Sequence, residues 1–134
     1  MVEHVSATQT YAALEADAGA CLIDVRTEAE WQFVGLPLAP GNRLALIAWQ
    51  GWPGGVVNPR FVDELREAGL AEERSLYFIC RSGARSAAAA RAALNGGYLH
   101  CFNVAGGFEG DADELGHRGV VSGWKAEGLP WRQG

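Results

Sequence analysis

A cysteine in a short loop rich in arginine, serine and glycine is the feature of this sequence with the clearest chemical potential. Cys80 is followed by Arg81, Ser82, Gly83, Ala84, Arg85 and Ser86. Small and hydroxyl-bearing residues let a backbone turn close around an anion, and the two arginines add positive charge. These features favour a thiolate over a thiol. Cys80 is therefore the candidate catalytic nucleophile, and residues 81–86 are candidate substrate-binding residues.

The residues on either side of this loop predict the elements that hold Cys80. The apolar run from Leu76 to Ile79 is typical of a buried strand, and residues 87–94 are almost all strong helix formers. Cys80 is therefore expected in a tight turn that faces a helix N-terminus, where unpaired backbone N–H groups and the helix dipole favour negative charge. The alternative is a cysteine that only fills the core at a strand end, which the polar loop disfavours.

A second predicted strand brings further polar side chains to the same edge of the sheet. Residues 20–25 form a short apolar run, and Asp24 and Arg26 stand at its end. Because parallel sheets bind ligands at the carboxyl ends of their strands, both residues are expected near the Cys80 loop. Their structural alternatives are an Asp24 carboxylate that fixes neighbouring backbone and an ion pair between Arg26 and Glu30. We expect them to support the site rather than to react.

Two helix starts are predicted from capping boxes, in which two side chains three residues apart each bond the other's backbone N–H. Ser6 and Gln9 have this spacing before the first helix. Thr27 and Glu30 have it before the helix that follows the second strand. In that helix, Trp31 and Phe33 are expected to pack inward.

Composition and charge limit the possible functions. The chain has 134 residues, 49% of them hydrophobic, and a net charge of −5 that disfavours nucleic acid and anionic membranes as partners. Three cysteines do not suggest a disulfide framework, and no cysteine or histidine spacing suggests zinc. No apolar run approaches membrane-spanning length, and the first residues do not form a signal region. We expect a cytoplasmic protein whose other cysteines, Cys21 and Cys101, fill the core.

The loop from Cys80 to Ser86 resembles the active-site loop of single-domain rhodaneses, the thiosulfate-type sulfurtransferases. Two further regions are similar to this family in the same order along the chain. One is the segment from Leu22 to Trp31, and the other combines Gly106-Gly107-Phe108 with the segment from Trp124 to Trp131. The similarity covers nearly the whole sequence. It implies an α/β fold, with residues 1–134 forming a single rhodanese-like domain around a central parallel five-stranded sheet that has helices on both faces.

The same resemblance implies a reaction and its participants. Cys80 would carry a sulfane sulfur as a persulfide, received from thiosulfate or a similar small anionic donor. A thiol, or cyanide in an assay, would accept that sulfur, and a protein acceptor is also possible. Asp24 and Arg26 would belong to the shell around the active-site loop. No metal and no organic cofactor is required.

The sequence departs from the family pattern in two places. The segment from Gly35 to Asn42 lacks the histidine that many rhodaneses have there, which bears on local packing or substrate preference. Residues 111–123 form an insert before the Trp124 helix, and we expect His117 and Arg118 from this insert to be possible substrate contacts. Trp49 and Trp52 lie in a Gly- and Pro-rich loop, where they cover the core edge or border the substrate site or a partner surface.

Other functions are weighed against sulfur transfer. Cysteine phosphatases and the related arsenate reductases have a larger loop than the one here, in which only Arg81 to Ala84 separate Cys80 from Arg85. A smaller loop suits one sulfur atom better than a tetrahedral phosphate. A non-enzymatic rhodanese-like module that carries sulfur or binds a partner is the alternative function, although such modules often lack the cysteine.

Overall fold

The sheet that carries the Cys80 loop has five strands. It is seen in a computed structural model that describes residues 1–51 and 54–133, so the prediction for Trp52 lies outside the described residues. In chain order, the elements are β1 (Glu3–Val5), α1 (Ala7–Ala16), β2 (Cys21–Asp24), α2 (Glu28–Phe33), β3 (Leu36–Pro37), a 3₁₀ turn (Pro40–Asn42), β4 (Leu44–Leu46), α3 (Phe61–Glu67), β5 (Ser75–Ile79), α4 (Ala84–Asn95), β6 (His100–Val104), α5 (Gly123–Ala126) and β7 (Trp131–Arg132).

The strand order brings the predicted site strands side by side. The large sheet runs β1-β6-β5-β2-β4, and every neighbouring pair is parallel. In this register Asp24 on β2 pairs with Ile79 on β5, the residue before Cys80. The carboxyl ends of β2, β5 and β6 therefore meet at one edge, as expected for a ligand site in a parallel sheet.

Helices cover both faces of this sheet, as predicted. Side chains alternate along a strand, and on β5 they divide between two cores. Leu76 and Phe78 pack in one core with residues of α3 and α4, whereas Tyr77 and Ile79 pack in the other with residues of α1 and α5. The α/β fold with a central parallel sheet is confirmed.

Both capping boxes form, but the packing predicted for the second helix is partly wrong. Ser6 Oγ accepts from Gln9 N at 3.0 Å, and Thr27 Oγ1 accepts from Glu30 N at 3.3 Å. Trp31 is partly buried, whereas Phe33, at the last position of α2, is 72% exposed. Trp31 and Phe33 are two residues apart, so the helix directs their side chains to different faces and only one of them can face the interior.

The segment that lacks the family histidine forms a small second sheet. Within it, β3 pairs antiparallel with β7, with Leu36 opposite Arg132. The carbonyl of Gly35 accepts a hydrogen bond of 2.7 Å from Arg26 Nη2. This departure from the family pattern therefore lies next to Arg26, one of the two residues predicted to support the Cys80 loop. No helix of the described residues is long and apolar enough to cross a membrane.

Candidate active site

Cys80 lies in the turn between β5 and α4. Gly83 precedes the helix with a φ of +110°, a left-handed backbone conformation that glycine adopts without the cost of a side chain. This residue allows the chain to reverse tightly enough to direct the first turn of α4 back towards the cysteine. Cys80 is only 1% exposed, so its sulfur is held by protein atoms on nearly all sides.

Hydrogen-bond donors from the loop surround the sulfur. The backbone N–H groups of Gly83 and Ser86 point to Cys80 Sγ at N···S distances of 3.2 and 3.3 Å. The hydroxyl of Ser86 lies 3.2 Å from the same sulfur. Because donors at a helix N-terminus stabilise negative charge, the two backbone N–H groups suit a thiolate or a persulfide anion.

The turn after β6 fixes the backbone of the loop. The Cys80 carbonyl accepts from Phe108 N at 2.8 Å, and the Arg81 carbonyl accepts from Glu109 N at 2.9 Å. Gly107 precedes Phe108, and a Cβ placed on it would lie 2.5 Å from the Cys80 carbonyl oxygen. Only glycine permits this approach, which gives a physical reason for the Gly106-Gly107-Phe108 segment.

Asp24 and Arg26 form a buried ion pair beside the loop and do not bond to Cys80. Arg26 Nε donates to Asp24 Oδ1 at 2.9 Å, and Nη2 donates to Oδ2 at 2.7 Å. Both side chains are fully buried, and the guanidinium lies 4.4 Å from the centre of the Phe108 ring. The alternative pair between Arg26 and Glu30 does not form. The contacts of Asp24 and Arg26 fit a supporting role, which stays a prediction.

Arg85 forms an ion pair with Glu30, a partner that was not predicted from the sequence. Its Nη1 and Nη2 donate to the two Glu30 carboxylate oxygens at 2.7 and 2.9 Å. Burial alone would raise the pKa of Glu30, but the hydrogen bonds and charge of Arg85, with hydrogen bonds from Thr27, hold that pKa below its usual value. The pKa of Arg85 is raised, chiefly by the hydrogen bond to Glu30, and the nearby Cys80 contributes to the same direction.

A cavity of about 640 Å³ opens beside the loop. Its charged lining residues are Glu30, Arg81, Arg85, Glu109 and Arg118, and its apolar side includes the exposed ring of Phe33. Cys80 itself is not among the lining residues; the next residue, Arg81, is exposed at the cavity. Ser82 is half-buried and Ala84 is exposed in the same loop. Among the described residues, neither Arg81 nor Arg118 has a carboxylate partner within 4.0 Å.

The insert brings one of its two candidate residues to this cavity. Arg118 Nη1 donates to the Gly110 carbonyl at 2.6 Å, and Arg118 lines the cavity. His117 is exposed, its backbone N–H donates to Asp113 Oδ1 at 2.8 Å, and it is not among the described residues that line the cavity. The geometry therefore separates two neighbours that the sequence could not distinguish. The segment 111–122 forms turns without helix or strand, and residue 123 already belongs to α5.

The other two cysteines have environments unlike that of Cys80. Burial raises the pKa of Cys21, and the charges of Arg74 and Arg43 offset this only in part. Burial raises the pKa of Cys101 to about 11. Both thiols are therefore neutral near pH 7 and pack in the same core. Trp49 also packs against this core, edge-on to Phe61 at 5.3 Å between ring centres.

A buried polar chain behind Cys80 was not identified from the sequence. Ser86 Oγ donates to Asn103 Oδ1 at 2.6 Å, and Asn103 Nδ2 lies 3.0 Å from His4 Nδ1. The one signal that could have revealed it is Asn103 itself, a polar residue inside the otherwise apolar end of β6. Within residues 1–51 and 54–133, no group of three or more His, Cys, Asp or Glu side chains is placed to hold a metal ion.

Comparisons with known proteins agree with this fold. The model of the rhodanese-like domain family matches residues 6–114. The chain is 36% identical over 133 residues to an uncharacterized protein of Rickettsia conorii, RC0915, covering 98% of each chain. It is 34% identical over 134 residues to the uncharacterized protein RP600 of Rickettsia prowazekii, again with 98% of each covered.

Solved structures show the same architecture. The crystal structure of Rv0390 from M. tuberculosis is similar with a TM-score of 0.88 and 41% identity, covering 99% of this chain and 98% of that one. A polysulfide-sulfur transferase from Wolinella succinogenes, solved as a homodimer, is similar with a TM-score of 0.68 and 20% identity. That comparison covers 99% of this chain and 80% of the other, and at this identity it supports the fold alone.

Proposed function

This chain belongs to the rhodanese-like domain family, and from that premise we propose that it is a sulfurtransferase that carries a sulfane sulfur on Cys80. The observation that carries the proposal is the pair of backbone N–H groups, of Gly83 and Ser86, directed at Cys80 Sγ. The substrate pair would be a small anionic sulfur donor such as thiosulfate and a thiol or cyanide acceptor.

The reaction is a double displacement. The Cys80 thiolate attacks the outer sulfur of thiosulfate, a new S–S bond forms, and the old one breaks as sulfite leaves with its electron pair. The acceptor then attacks the outer sulfur of the persulfide, and the Cys80 thiolate leaves. No external oxidant or reductant is needed, and two easier steps replace one difficult transfer. The Gly83 and Ser86 N–H groups stabilise the sulfur anion in both resting forms of the enzyme.

The charges around the cavity support an anionic donor. Arg81 and Arg118 have no carboxylate partner among the described residues, so their guanidinium groups can bind the sulfonate end of a donor. Arg85 shares its charge with Glu30 and is better placed to shape the loop than to bind the donor alone. Because Cys80 is 1% exposed, attack requires the side chains at the cavity to move aside.

Other functions have less support. A cysteine phosphatase would need room in the loop for a tetrahedral phosphate, whereas this short loop places its N–H donors around a single sulfur atom. A sulfur carrier that passes its persulfide to one protein partner would use the same Cys80 chemistry, and differs only in the acceptor.

The experiment that tests the proposal is a thiosulfate-to-cyanide transfer assay with cysteine variants. Cys80→Ser should lose turnover because a serine hydroxyl cannot hold a persulfide, while Cys101→Ser should keep turnover if it folds. Far-ultraviolet circular dichroism would verify that each variant is folded. Turnover by Cys80→Ser at the wild-type rate would reject the proposal.

A further inference from the structure

The buried chain from Cys80 to His4 has a defined hydrogen-bond direction. Cys80, Ser86 and Asn103 are at most 4% exposed, while His4 is exposed on the edge strand β1. The Ser86 hydroxyl has a single proton, and it donates that proton to Asn103 Oδ1 at 2.6 Å. Towards Cys80 Sγ, 3.2 Å away, the same hydroxyl therefore presents a lone pair, which suits a protonated thiol.

The direction of this chain depends on His4. Asn103 Nδ2 can donate to His4 Nδ1, 3.0 Å away, only while that nitrogen is unprotonated. When His4 Nδ1 is protonated, it is a donor and so is Asn103 Nδ2, which faces it. The Asn103 side-chain amide must therefore flip, so that Oδ1 accepts from His4 Nδ1. Asn103 Nδ2 then faces Ser86 Oγ and donates to it. The Ser86 hydroxyl then no longer donates to Asn103, and it can donate its proton to Cys80 Sγ instead.

We propose that Asn103 and His4 are positioning residues that decide whether Ser86 donates a hydrogen bond to the Cys80 sulfur or accepts one from it. With His4 neutral and its proton on Nε2, His4 Nδ1 accepts from Asn103, Ser86 accepts from Cys80, and the thiol form is favoured. With protonated His4, the Ser86 hydroxyl joins the Gly83 and Ser86 N–H groups as a third donor to the sulfur anion. The inference rests on the proposed function, because it assigns this chain to the tuning of the sulfur-carrying cysteine.

The control depends on whether His4 Nδ1 carries a proton, so the charged groups around His4 matter. The other titratable or charged groups on β1, β6 and the helix packed over β6 are Glu3, His100, Cys101, Arg85, Arg91 and the terminal amine of Met1. Glu3 and His100 point to the opposite face of the sheet from His4 and Asn103, because side chains alternate along strands. Cys101 is on the same face, but burial keeps it a neutral thiol.

The test uses a matched pair of His4 substitutions. His4→Glu offers only acceptors near neutral pH and should hold the chain in the neutral-histidine direction. His4→Lys offers only donors and should hold the hydrogen-bond chain in the direction that a protonated His4 would give it. The readout is the second-order rate of Cys80 alkylation by iodoacetamide, in the full chain without sulfur donor, at about pH 5.5 and about pH 8. A Cys21→Ser, Cys101→Ser background limits the alkylation to Cys80.

At about pH 8 the His4→Lys variant should react about threefold faster than wild type and His4→Glu. One hydrogen bond gained by the sulfur anion raises the thiolate fraction by about tenfold, and the lower nucleophilicity of the stabilised thiolate offsets about half of that gain on a logarithmic scale. At about pH 5.5 the alkylation rate of wild type should become closer to that of the His4→Lys variant and differ more from that of the His4→Glu variant. The control is Ser86→Ala, which removes the hydroxyl but leaves both charges and the backbone donors. In that background the difference between the Glu and Lys variants should fall to what the exposed charges alone produce.

Two results would overturn the inference: equal alkylation rates for the Glu and Lys variants, or a difference between them that is equally large with and without the Ser86→Ala substitution. Both are independent of sulfur transfer. If Cys80 never acquires a sulfur from any donor but the His4 variants differ as described, the proposed function fails while the hydrogen-bond chain stands. If the protein transfers sulfur but the variants react alike, only the chain is rejected.

Discussion

The Glu30–Arg85 ion pair limits the positive charge of the cavity that would receive the proposed anionic donor. Arg85 would otherwise be a loop cation near Cys80, but its guanidinium is bidentate to Glu30, with both side chains less than a quarter exposed. The carboxylate neutralises part of the attraction for a donor while it holds α2 against the loop. Glu30 therefore sets both the charge and the shape of the cavity.

Glu30→Gln should lower the KM for thiosulfate, because the charge of Arg85 would no longer be offset by a carboxylate. Exposed and partly exposed pairs are worth about 0.2–1 kcal/mol, so a change of up to about fivefold is expected. The measurement is steady-state transfer to cyanide, with Glu28→Gln as a control on the same helix that removes a carboxylate outside the pair. An unchanged or higher KM for Glu30→Gln alone would show that Arg85 does not contribute to donor binding.

The Glu30–Arg85 pair also makes the free energy of unfolding depend on pH, in a direction that follows from the pKa of Glu30. The pKa of Glu30 is lowered in the folded protein, so its contribution to the free energy of unfolding is present above the unfolded value, about 4.3. It is lost as the pH falls through the lower folded value. Urea unfolding of wild type and Glu30→Gln should therefore give a stability difference at about pH 6 that shrinks below about pH 4. A difference that grows on acidification would contradict the ion pair.

At the scale of the elements, the turn after β6 acts as the support for the Cys80 loop. Gly107, with a φ of +62°, leaves room for the Cys80 carbonyl. Gly116 in the insert has a similar φ of +80°, but a Cβ added there would have nothing within 4 Å. The two glycines therefore share the backbone cost of an added Cβ but differ in the contact it makes. They form a matched pair for testing the support.

Gly116→Ala should cost about 1–2 kcal/mol of unfolding free energy from the left-handed backbone alone, with turnover unchanged. Gly107→Ala should cost more, because the added Cβ would overlap the Cys80 carbonyl, and it should lower turnover by displacing the loop. Thermal unfolding and the cyanide assay on both variants check this. Equal effects of the two substitutions would mean that the turn does not position Cys80.

The insert can be tested through its two adjacent candidates. Arg118→Ala should raise the KM for thiosulfate by about tenfold, because it removes from the cavity a cation that has no carboxylate partner among the described residues. His117→Ala should leave that KM unchanged, since His117 is exposed away from the lining residues. Steady-state kinetics with thiosulfate separate the two. An effect of His117→Ala as large as that of Arg118→Ala would mean that the insert closes over the site differently in the enzyme at work.

Local sequence signals predicted the elements well and the partners of individual side chains poorly. The capping boxes, the buried β2 and β5 strands and the turn at Cys80 depend on residues close together in sequence, and they form where expected. Arg85 and Glu30 are 55 residues apart, and Asn103 and His4 are 99 apart. Such pairings depend on strand order and on helix placement, which no local pattern encodes. The inward packing predicted for Phe33 is wrong for a different reason: residues two apart on a helix face different ways, and Trp31 is the one that is partly buried.

At the scale of the whole molecule, the Asp24–Arg26 pair joins the large sheet to the small one. Arg26 binds Asp24 at the end of β2 and the Gly35 carbonyl just before β3, and its ring contact with Phe108 reaches the turn under the loop. The resemblance places these residues near the candidate site, and both side chains are fully buried. Asp24→Ala would leave a buried guanidinium unpaired, which should lower the free energy of unfolding by about 3–5 kcal/mol.

The control for that prediction is the double variant Asp24→Ala, Arg26→Met, which also removes the guanidinium that Asp24→Ala alone leaves unpaired. It should recover much of the loss, because a well-packed apolar replacement of a buried pair is often nearly neutral. Chemical denaturation of the single and double variants checks this. A single variant as stable as wild type would show that the pair does not link the two sheets energetically.

Intact mass spectrometry of the protein after incubation with thiosulfate would show whether Cys80 holds a transferable sulfur. We predict the mass of one added sulfur atom, located on Cys80 by peptide mapping, removed by cyanide, and absent from Cys80→Ser. A protein whose mass does not change with thiosulfate or other sulfane donors, or that carries the added sulfur on Cys21 or Cys101, would contradict the proposed role of Cys80.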